Sequence, residues 1–109
     1  MSKVNQFEDL RIWQEARELV KLIYHSISSD PVGSMDWGFR NQIQTAVVSI
    51  MNNIAEEFEH GSDKDFTRFL DISKAFCGEV RSMLYLAEDL NYIDSKNSID
   101  LRGKAVAIS

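Results

Sequence analysis

The sequence has few residues that interrupt helices or crosslink a chain. Its 109 residues include one proline and five glycines, too few for a many-stranded β fold, which needs a turn about every 8–12 residues. The single cysteine, Cys77, excludes an internal disulfide framework and a zinc site built from cysteines. These absences favour a fold made of a few long helices.

Long apolar runs and an excess of positive charge are also missing. No segment approaches the roughly 18 apolar residues of a membrane span, and the N-terminus has no secretory-signal pattern, so we expect a soluble, cytoplasmic protein. The net charge of −5 has the wrong sign for a protein wrapped in phosphate. An apolar fraction of 44% and a charged fraction of 27% are typical of one globular domain, which we assign to residues 1–109.

Apolar residues recur at steps of three and four, which is the spacing of one helix face. They predict four helices, at about 7–28, 35–59, 63–91 and 97–109. Pro31 ends the first helix, and Ser62 and Asn97 are expected to cap the third and the fourth. Because the connections are short, the prediction is an all-α, antiparallel up-and-down four-helix bundle.

The second predicted helix has an unusual surface. Residues 41–55 contain no charged side chain, and a helix that is apolar or neutral all round is usually buried on most sides. Two interpretations of its polar side remain open: it lines a pore or ligand groove in an assembly, or it fixes helix register through hydrogen bonds between buried polar groups. We call this side the polar strip, and its members are Gln42, Ser49, Asn53 and Glu56.

The third predicted helix has a wider apolar stripe than one core needs. Ile72, Leu86 and Leu90 extend the stripe to roughly 200° of arc, whereas packing into a single core needs about 100°. A second copy of the chain is the simplest cover for the excess. The candidate interface residues are Phe69, Ile72, Phe76 and Met83, with Arg68, Glu79 and Arg81 at the margins. The three charged residues either pair across a subunit interface or remain solvated at its rim.

Three blocks of sequence resemble those of one known family. They are FEDLRIWQEA at 7–16, QIQTAVVSIMNNIAE at 42–56, and FTRFLDI at 66–72, which continues to GEVRS at 78–82. In this order they resemble the bacterial four-helix-bundle proteins first described from intervening sequences in large-subunit ribosomal RNA genes. The resemblance extends from residue 7 to about residue 93. It implies a four-helix bundle, a ring-like homopentamer and no established enzymatic activity.

An alternative function follows from relatives of that family. Some related bundle proteins assist retroelement reverse transcription and use basic surfaces on RNA, which makes an RNA-binding accessory protein the second hypothesis. The family commonly has arginine at one or both positions occupied here by Gln44 and Thr45, and residues 57–60 replace its glycine and basic residue. An RNA site would need folding and assembly to gather Arg11, Arg17, Lys21, Arg40, Arg68, Lys74 and Arg81.

No catalytic or metal-binding pattern accounts for a function. Glu57 and His60 have the i, i+3 spacing of di-iron bundles, but such a site needs a second pair and two further glutamates, and His25 has no acid in register. Cys77 lies on the apolar stripe, where a packed thiol is expected. We therefore predict a non-catalytic homo-oligomeric scaffold or adaptor, with a pentamer favoured. It would use no metal, cofactor, membrane or evident small-molecule substrate and would recruit an unidentified protein or RNA.

Overall fold

Helices are the regular secondary structure of the part of the chain that the structure describes. The computed structural model describes the backbone of residues 5–60 and 63–109 and the side chains of residues 5–60 and 71–109. Within these ranges there are four α-helices, two short 3-10 helices and no strand, which confirms the predicted all-α class. The α-helices are α1 (Arg11–Ser28), α2 (Trp37–His60), α3 (Asp63–Asp89) and α4 (Ser95–Ile108), and the 3-10 helices are Phe7–Asp9 and Gly33–Met35.

The four helices pack as a bundle. Each helix packs against the next one in the chain, and α1 also packs against α4. Because short connections join consecutive helices, neighbours run antiparallel. None of the helices in the described part of the chain is both long enough and apolar enough to cross a bilayer. All four helices contribute fully buried side chains to one core, among them Leu19, Ile23, Ile43, Ile50, Leu84 and Leu101.

The helices are unequal in length. α2 and α3 contain 24 and 27 residues, whereas α1 and α4 contain 18 and 14. At about 1.5 Å per residue, α2 and α3 are therefore about 36 and 40 Å long. The longest dimension of the molecule is 46 Å, which is close to the length of α3. The α2–α3 pair thus provides the longest continuous surface of the bundle.

The first α-helix begins later than the sequence predicts. The periodicity predicts one helix from residue 7, but Phe7–Asp9 form a 3-10 helix and Leu10 is extended, with φ −72° and ψ 126°. This break allows Phe7 to pack against Trp13, and the two rings meet edge to face with centroids 5.2 Å apart. Edge-to-face aromatic pairs are favourable beyond the area that they bury. The contact between the Phe7 and Trp13 side chains therefore helps to stabilise the 3-10 helix that precedes α1.

The third α-helix ends two residues before the predicted boundary of 91. Asn91 has a positive φ of 62°, a left-handed conformation that asparagine tolerates better than most residues. The backbone N–H of Tyr92 donates to Ala87 O at 2.8 Å, and that of Asn91 donates to Glu88 O at 3.0 Å. These two bonds form a Schellman motif, which satisfies carbonyls at the helix end.

The fourth α-helix begins at Ser95, and its cap is Asp94 rather than the predicted Asn97. Asp94 Oδ1 accepts a hydrogen bond from the backbone N–H of Asn97 at 2.7 Å. The Asn97 side chain instead donates to Ser26 Oγ of α1 at 3.0 Å, so it joins two helices. The predicted cap of α3, Ser62, lies outside the described residues.

Three residues hold together the two connections at one end of the bundle, and we call them the clasp: Gly33, Asp36 and Tyr92. Asp36 Oδ1 accepts from Phe39 N at 3.1 Å and caps α2, while Asp36 Oδ2 accepts from Tyr92 Oη at 2.5 Å. The Tyr92 bond is the main cause that lowers the pKa of Asp36, and the same bond raises the pKa of Tyr92. Gly33 lies against the Tyr92 ring, since a Cβ added to Gly33 would be 2.9 Å from Tyr92 Cγ.

The first prediction tests the close approach at Gly33. We expect Gly33→Ala to lower the free energy of unfolding by about 1–3 kcal/mol, because the added Cβ would also lie 3.1 Å from Tyr92 Cβ, which cannot move without the backbone. Gly103→Ala is the matched control: no atom lies within 4 Å of a Cβ added there, and alanine should stabilise this helical position by up to about 1 kcal/mol. Urea unfolding followed by circular dichroism measures both. A Gly33→Ala variant as stable as the parent would contradict the contact.

The second prediction concerns the pH dependence of the clasp. A carboxyl with a lowered pKa stabilises the fold above its unfolded-state pKa, near 3.8 for Asp36, and this contribution is lost as the pH falls through the folded-state pKa. A tyrosine with a raised pKa contributes below its unfolded-state pKa, near 10.0 for Tyr92, and this contribution is lost as the pH rises through the folded-state pKa. Tyr92→Phe keeps the ring and removes the bond.

We therefore expect the difference in Tm between the parent and Tyr92→Phe to be largest between about pH 5 and pH 9 and to shrink at both extremes. Thermal unfolding across this pH range measures it. Tyr24→Phe, which changes a partly exposed ring on α1, is the control and should show no such profile. A Tm difference for Tyr92→Phe that does not vary with pH would be inconsistent with the proposed role of the bond.

Candidate functional site

The polar strip of α2 lies beside α3. Its four members are about 80–140° around the helix from the centre of the buried face of α2, at 3.6 residues per turn. Gln42 Nε2 donates a hydrogen bond to Glu79 Oε1 of α3 at 2.9 Å. This bond joins a member of the polar strip to a candidate interface residue of α3. The two sets of residues that the sequence singled out separately therefore meet on one surface of the bundle.

The other polar-strip residues form no hydrogen bond to another helix among the described residues. Ser49 Oγ donates to Thr45 O, and Asn53 Nδ2 donates to Ser49 O, each at 2.7 Å and within α2 itself. Glu56 is exposed. Such bonds to the preceding turn satisfy a side chain without linking two helices. Among the described residues, Gln42 is thus the strip residue that connects two helices.

The apolar candidates on α3 lie on the same side as Glu79. Ile72, Phe76 and Met83 are only partly buried, and Phe76 and Met83 pack against the edge of the core. All three lie within about 60° of Glu79 around the helix. The side chains of the two remaining α3 candidates, Arg68 and Phe69, lie outside the described side chains.

Two leucines extend this apolar surface toward the clasp. Leu86 and Leu90 are 45% and 44% exposed and lie within about 20° of Glu79 around α3. The width of the apolar stripe was the sequence signal for them, but their exposure depends on where the other helices pack. We call the combined surface the α2–α3 face; it consists of the polar strip of α2 together with Ile72, Phe76, Glu79, Met83, Leu86 and Leu90 of α3.

Arg81 does not belong to the α2–α3 face. It is exposed, and it is two residues from Glu79, which places it about 200° away around the helix. Arg81 is close enough to Cys77, on the buried side of α3, to influence the pKa of that thiol. The two marginal charges, Glu79 and Arg81, therefore face different directions, and one partner surface on one side of α3 cannot contact both.

Three titratable groups outside this face, Cys77, Asp30 and Asp94, have local structural roles. Cys77 is fully buried, and burial raises the pKa of its thiol, so it stays protonated within the core. A shallow cleft of about 320 Å³ beside His25 includes Asp30 and Asp94. Asp30 Oδ2 accepts from Gly33 N at 2.7 Å, and Asp94 Oδ1 caps α4 as described above. In the part of the chain that the structure describes, no group of three or more histidine, cysteine, aspartate or glutamate side chains is positioned to hold a metal ion.

The fold and this surface together define a class of protein. The chain is a helical-bundle protein whose most extended surface combines a neutral polar strip with exposed apolar side chains. It belongs to the 23S rRNA-intervening sequence protein family, whose model matches residues 8–109. This match confirms the resemblance inferred from the three sequence blocks. A search of curated proteins found no significant match.

A third prediction separates structural from surface roles in the polar strip. Because Ser49 and Asn53 bond within their own helix, we expect Ser49→Ala and Asn53→Ala each to change the free energy of unfolding by less than about 0.5 kcal/mol. Ile50→Ala, a neighbour in the core, should cost about 2–5 kcal/mol. Chemical unfolding of the three variants measures these values. A loss above about 2 kcal/mol in either polar variant would mean that the strip is part of the core.

Proposed function

We propose that the chain is a non-catalytic scaffold that assembles through its α2–α3 face into a ring-like homo-oligomer, with a pentamer favoured, and that this assembly recruits another macromolecule. The observation that supports this most is the Gln42–Glu79 bond, because it brings the polar strip and the apolar margin of α3 onto one face. The absence of a catalytic pattern in the sequence supports the non-catalytic part. The number five comes from the family resemblance.

The composition of the α2–α3 face suits burial against a protein. Leu86, Leu90 and Ile72 supply exposed or partly exposed apolar area, and charged residues are typically depleted from the centre of interfaces. Gln42, Ser49 and Asn53 are neutral, so their desolvation costs less than that of charges, and their existing hydrogen bonds reduce it further. A face of this composition tolerates permanent burial.

A ring requires contacts of a particular kind. In a cyclic assembly of more than two copies, each subunit uses two different surfaces, one for each neighbour. A permanent ring is also expected to bury thousands of Å² in total with an apolar centre. The α2–α3 pair contains the two longest helices of the bundle and is the candidate for one of the two surfaces.

The fourth prediction tests the assembly and its face. By light scattering coupled to size exclusion, we expect the untagged parent to have a mass near five times that of the 12.5 kDa chain. Leu90→Glu and Ile72→Glu should shift the mass toward that of one chain, because each introduces a charge into an apolar contact. Val32→Glu is the control, since Val32 is 68% exposed in the connection between α1 and α2, and it should keep the parent mass.

Each outcome of this experiment has a separate meaning. A parent with the mass of one chain would refute self-assembly as the basis of the function. An oligomeric parent whose mass survives both glutamate variants would show that assembly uses another face. Circular dichroism of each variant shows whether the helices remain folded, so that a loss of mass can be assigned to the interface.

RNA binding is the alternative function, and it is supported by the family description, which refers to 23S rRNA. The described structure offers it limited support. Arg11 pairs with Glu15 and Lys21 with Glu18 on α1, so part of the proposed basic surface is already neutralised locally. RNA retention at low salt that falls steeply with added salt would favour this alternative.

A further inference from the structure

A second exposed strip runs along the opposite side of α3, where α3 packs against α4. Tyr85 on α3 is 55% exposed, and Ile99 and Val106 on α4 are 58% and 54% exposed. Together with Leu86 and Leu90, they are five of the nine large apolar side chains that are exposed in the described part of the chain. Exposed apolar area is therefore concentrated on two sides of α3.

The members of this second strip lie on one side of α3 and on one side of α4, and a contact between the two helices joins them. Arg81 and Tyr85 are four residues apart on α3, and Ile99 and Val106 are seven apart on α4, so each pair lies on one side of its helix. The Arg102 guanidinium, from α4, stacks on the Tyr85 ring with its Cζ 3.9 Å from the ring centroid. We call this surface the α3–α4 seam; it consists of Arg81, Tyr85, Ile99, Arg102 and Val106.

The two arginines of the α3–α4 seam differ in whether they form an ion pair within the chain. Arg102 Nη1 donates to Glu88 Oε2 at 3.0 Å and to Ser98 Oγ at 2.6 Å. The bond from Arg102 is the main cause that lowers the pKa of Glu88, so the two form a balanced ion pair. Arg81 is exposed and takes part in none of the ion pairs among the described residues. Among the described residues, Arg81 is therefore the seam cation without an ion-pair partner in its own chain, and it could pair with another molecule.

The α2–α3 face offers a complementary acid. Glu79 uses Oε1 for the bond from Gln42, which leaves its second carboxylate oxygen to accept from another donor. Its neighbours on that face are the exposed Leu86 and Leu90. One side of α3 thus presents an acid with leucines, and the opposite side presents a cation with a tyrosine and aliphatic residues.

The two surfaces also lie at the same height along the bundle. Glu79 and Arg81 differ by two residues, which is about 3 Å along α3, and Tyr85 lies between Glu79 and Leu90. When copies are related by rotation about an axis parallel to their helices, with no shift along it, contacting groups must lie at equal heights. Equal height is also what distinguishes a closed ring from an open helical filament.

We infer that the α3–α4 seam is the second surface of the ring, and that Arg81 of each copy pairs with Glu79 of the next copy. This inference rests on the proposed assembly, and it identifies the partner of the α2–α3 face as the seam of a second copy. The contact is head to tail, because Glu79 and Arg81 are on opposite sides of one helix. Leu86 and Leu90 of one copy then pack against Tyr85 and Ile99 of its neighbour, which lie near their height because Ser98 of α4 is level with Leu84 of α3.

A charge-exchange experiment tests this pairing. We expect Glu79→Arg and Arg81→Glu each to raise the concentration needed for half-assembly by about tenfold or more, since each places like charges across the interface. The double variant, which carries both changes, should restore assembly, because the same two charges meet with their positions exchanged. Lys104→Glu, an equal charge change at an exposed site of α4 outside the seam, should assemble like the parent.

Mixing the two single variants sharpens the test. Chains with Glu79→Arg carry arginine on both surfaces and chains with Arg81→Glu carry glutamate on both, so the two should assemble with each other although neither assembles alone. A ring of five cannot alternate completely and keeps at least one like-charged contact, so we expect the mixture to assemble better than either variant alone and less tightly than the parent. Light scattering of the separate and mixed variants, with circular dichroism to show that each is folded, measures this result.

The outcomes distinguish this inference from the proposed function. A parent that has the mass of one chain removes the proposed assembly itself. If the parent assembles and the single variants assemble equally well, the result supports the ring and overturns the Glu79–Arg81 pairing. The pairing is likewise overturned if both single variants fail to assemble and the double variant does not recover.

Discussion

The burial of α2 between its neighbours is the constraint on which the rest of the structure depends. α2 packs against α1 and α3, and its buried residues Phe39, Ile43, Val47, Ile50 and Ile54 extend along most of its length. A charged side chain on the flanks of this helix would have to be desolvated or turned away. The uncharged stretch from residue 41 to residue 55 avoids that cost at its buried and partly buried positions and leaves neutral polar groups where α2 borders α3. Asn41, Gln42, Thr45 and Asn52 of this stretch are exposed in the single chain, so α2 is not buried on most sides as the sequence predicts.

The same constraint determines what α3 presents to solvent. With α2 on one side and α4 on the other, α3 buries Cys77, Val80, Leu84 and Ala87, and its apolar stripe is wider than this core requires. The excess of the stripe, which is Ile72, Leu86 and Leu90, lies on one exposed border of α3, and Tyr85, which is not part of the stripe, is exposed on the other. One border lies beside the polar strip, and the other lies beside α4, so a single helix supplies parts of two surfaces with different chemistry.

The sequence predicted the helices well because apolar periodicity and low glycine and proline content are properties of the chain itself. The helix ends were less predictable, since Leu10, Asn91 and Asp94 act through backbone conformation and capping bonds that several neighbouring residues could equally have provided.

For the site, the opposite directions of Glu79 and Arg81 follow from helix geometry alone. The Gln42–Glu79 bond does not, because it depends on how far α2 and α3 are rotated about their own axes. Ile99 and Val106 share the seven-residue spacing of one helix side, which was a usable signal for the seam.

The contact between Gly33 and Tyr92 has a consequence for how this chain can change over evolutionary time. Gly33 has no room for a side chain because the root of the Tyr92 ring occupies that space, and the ring is held there by its bond to Asp36. A substitution at position 33 becomes acceptable only after position 92 has become smaller, and a smaller residue at 92 leaves Asp36 without its hydroxyl partner. We therefore expect the three positions to change together in evolution, because a substitution at one of them alone lowers the stability of the fold.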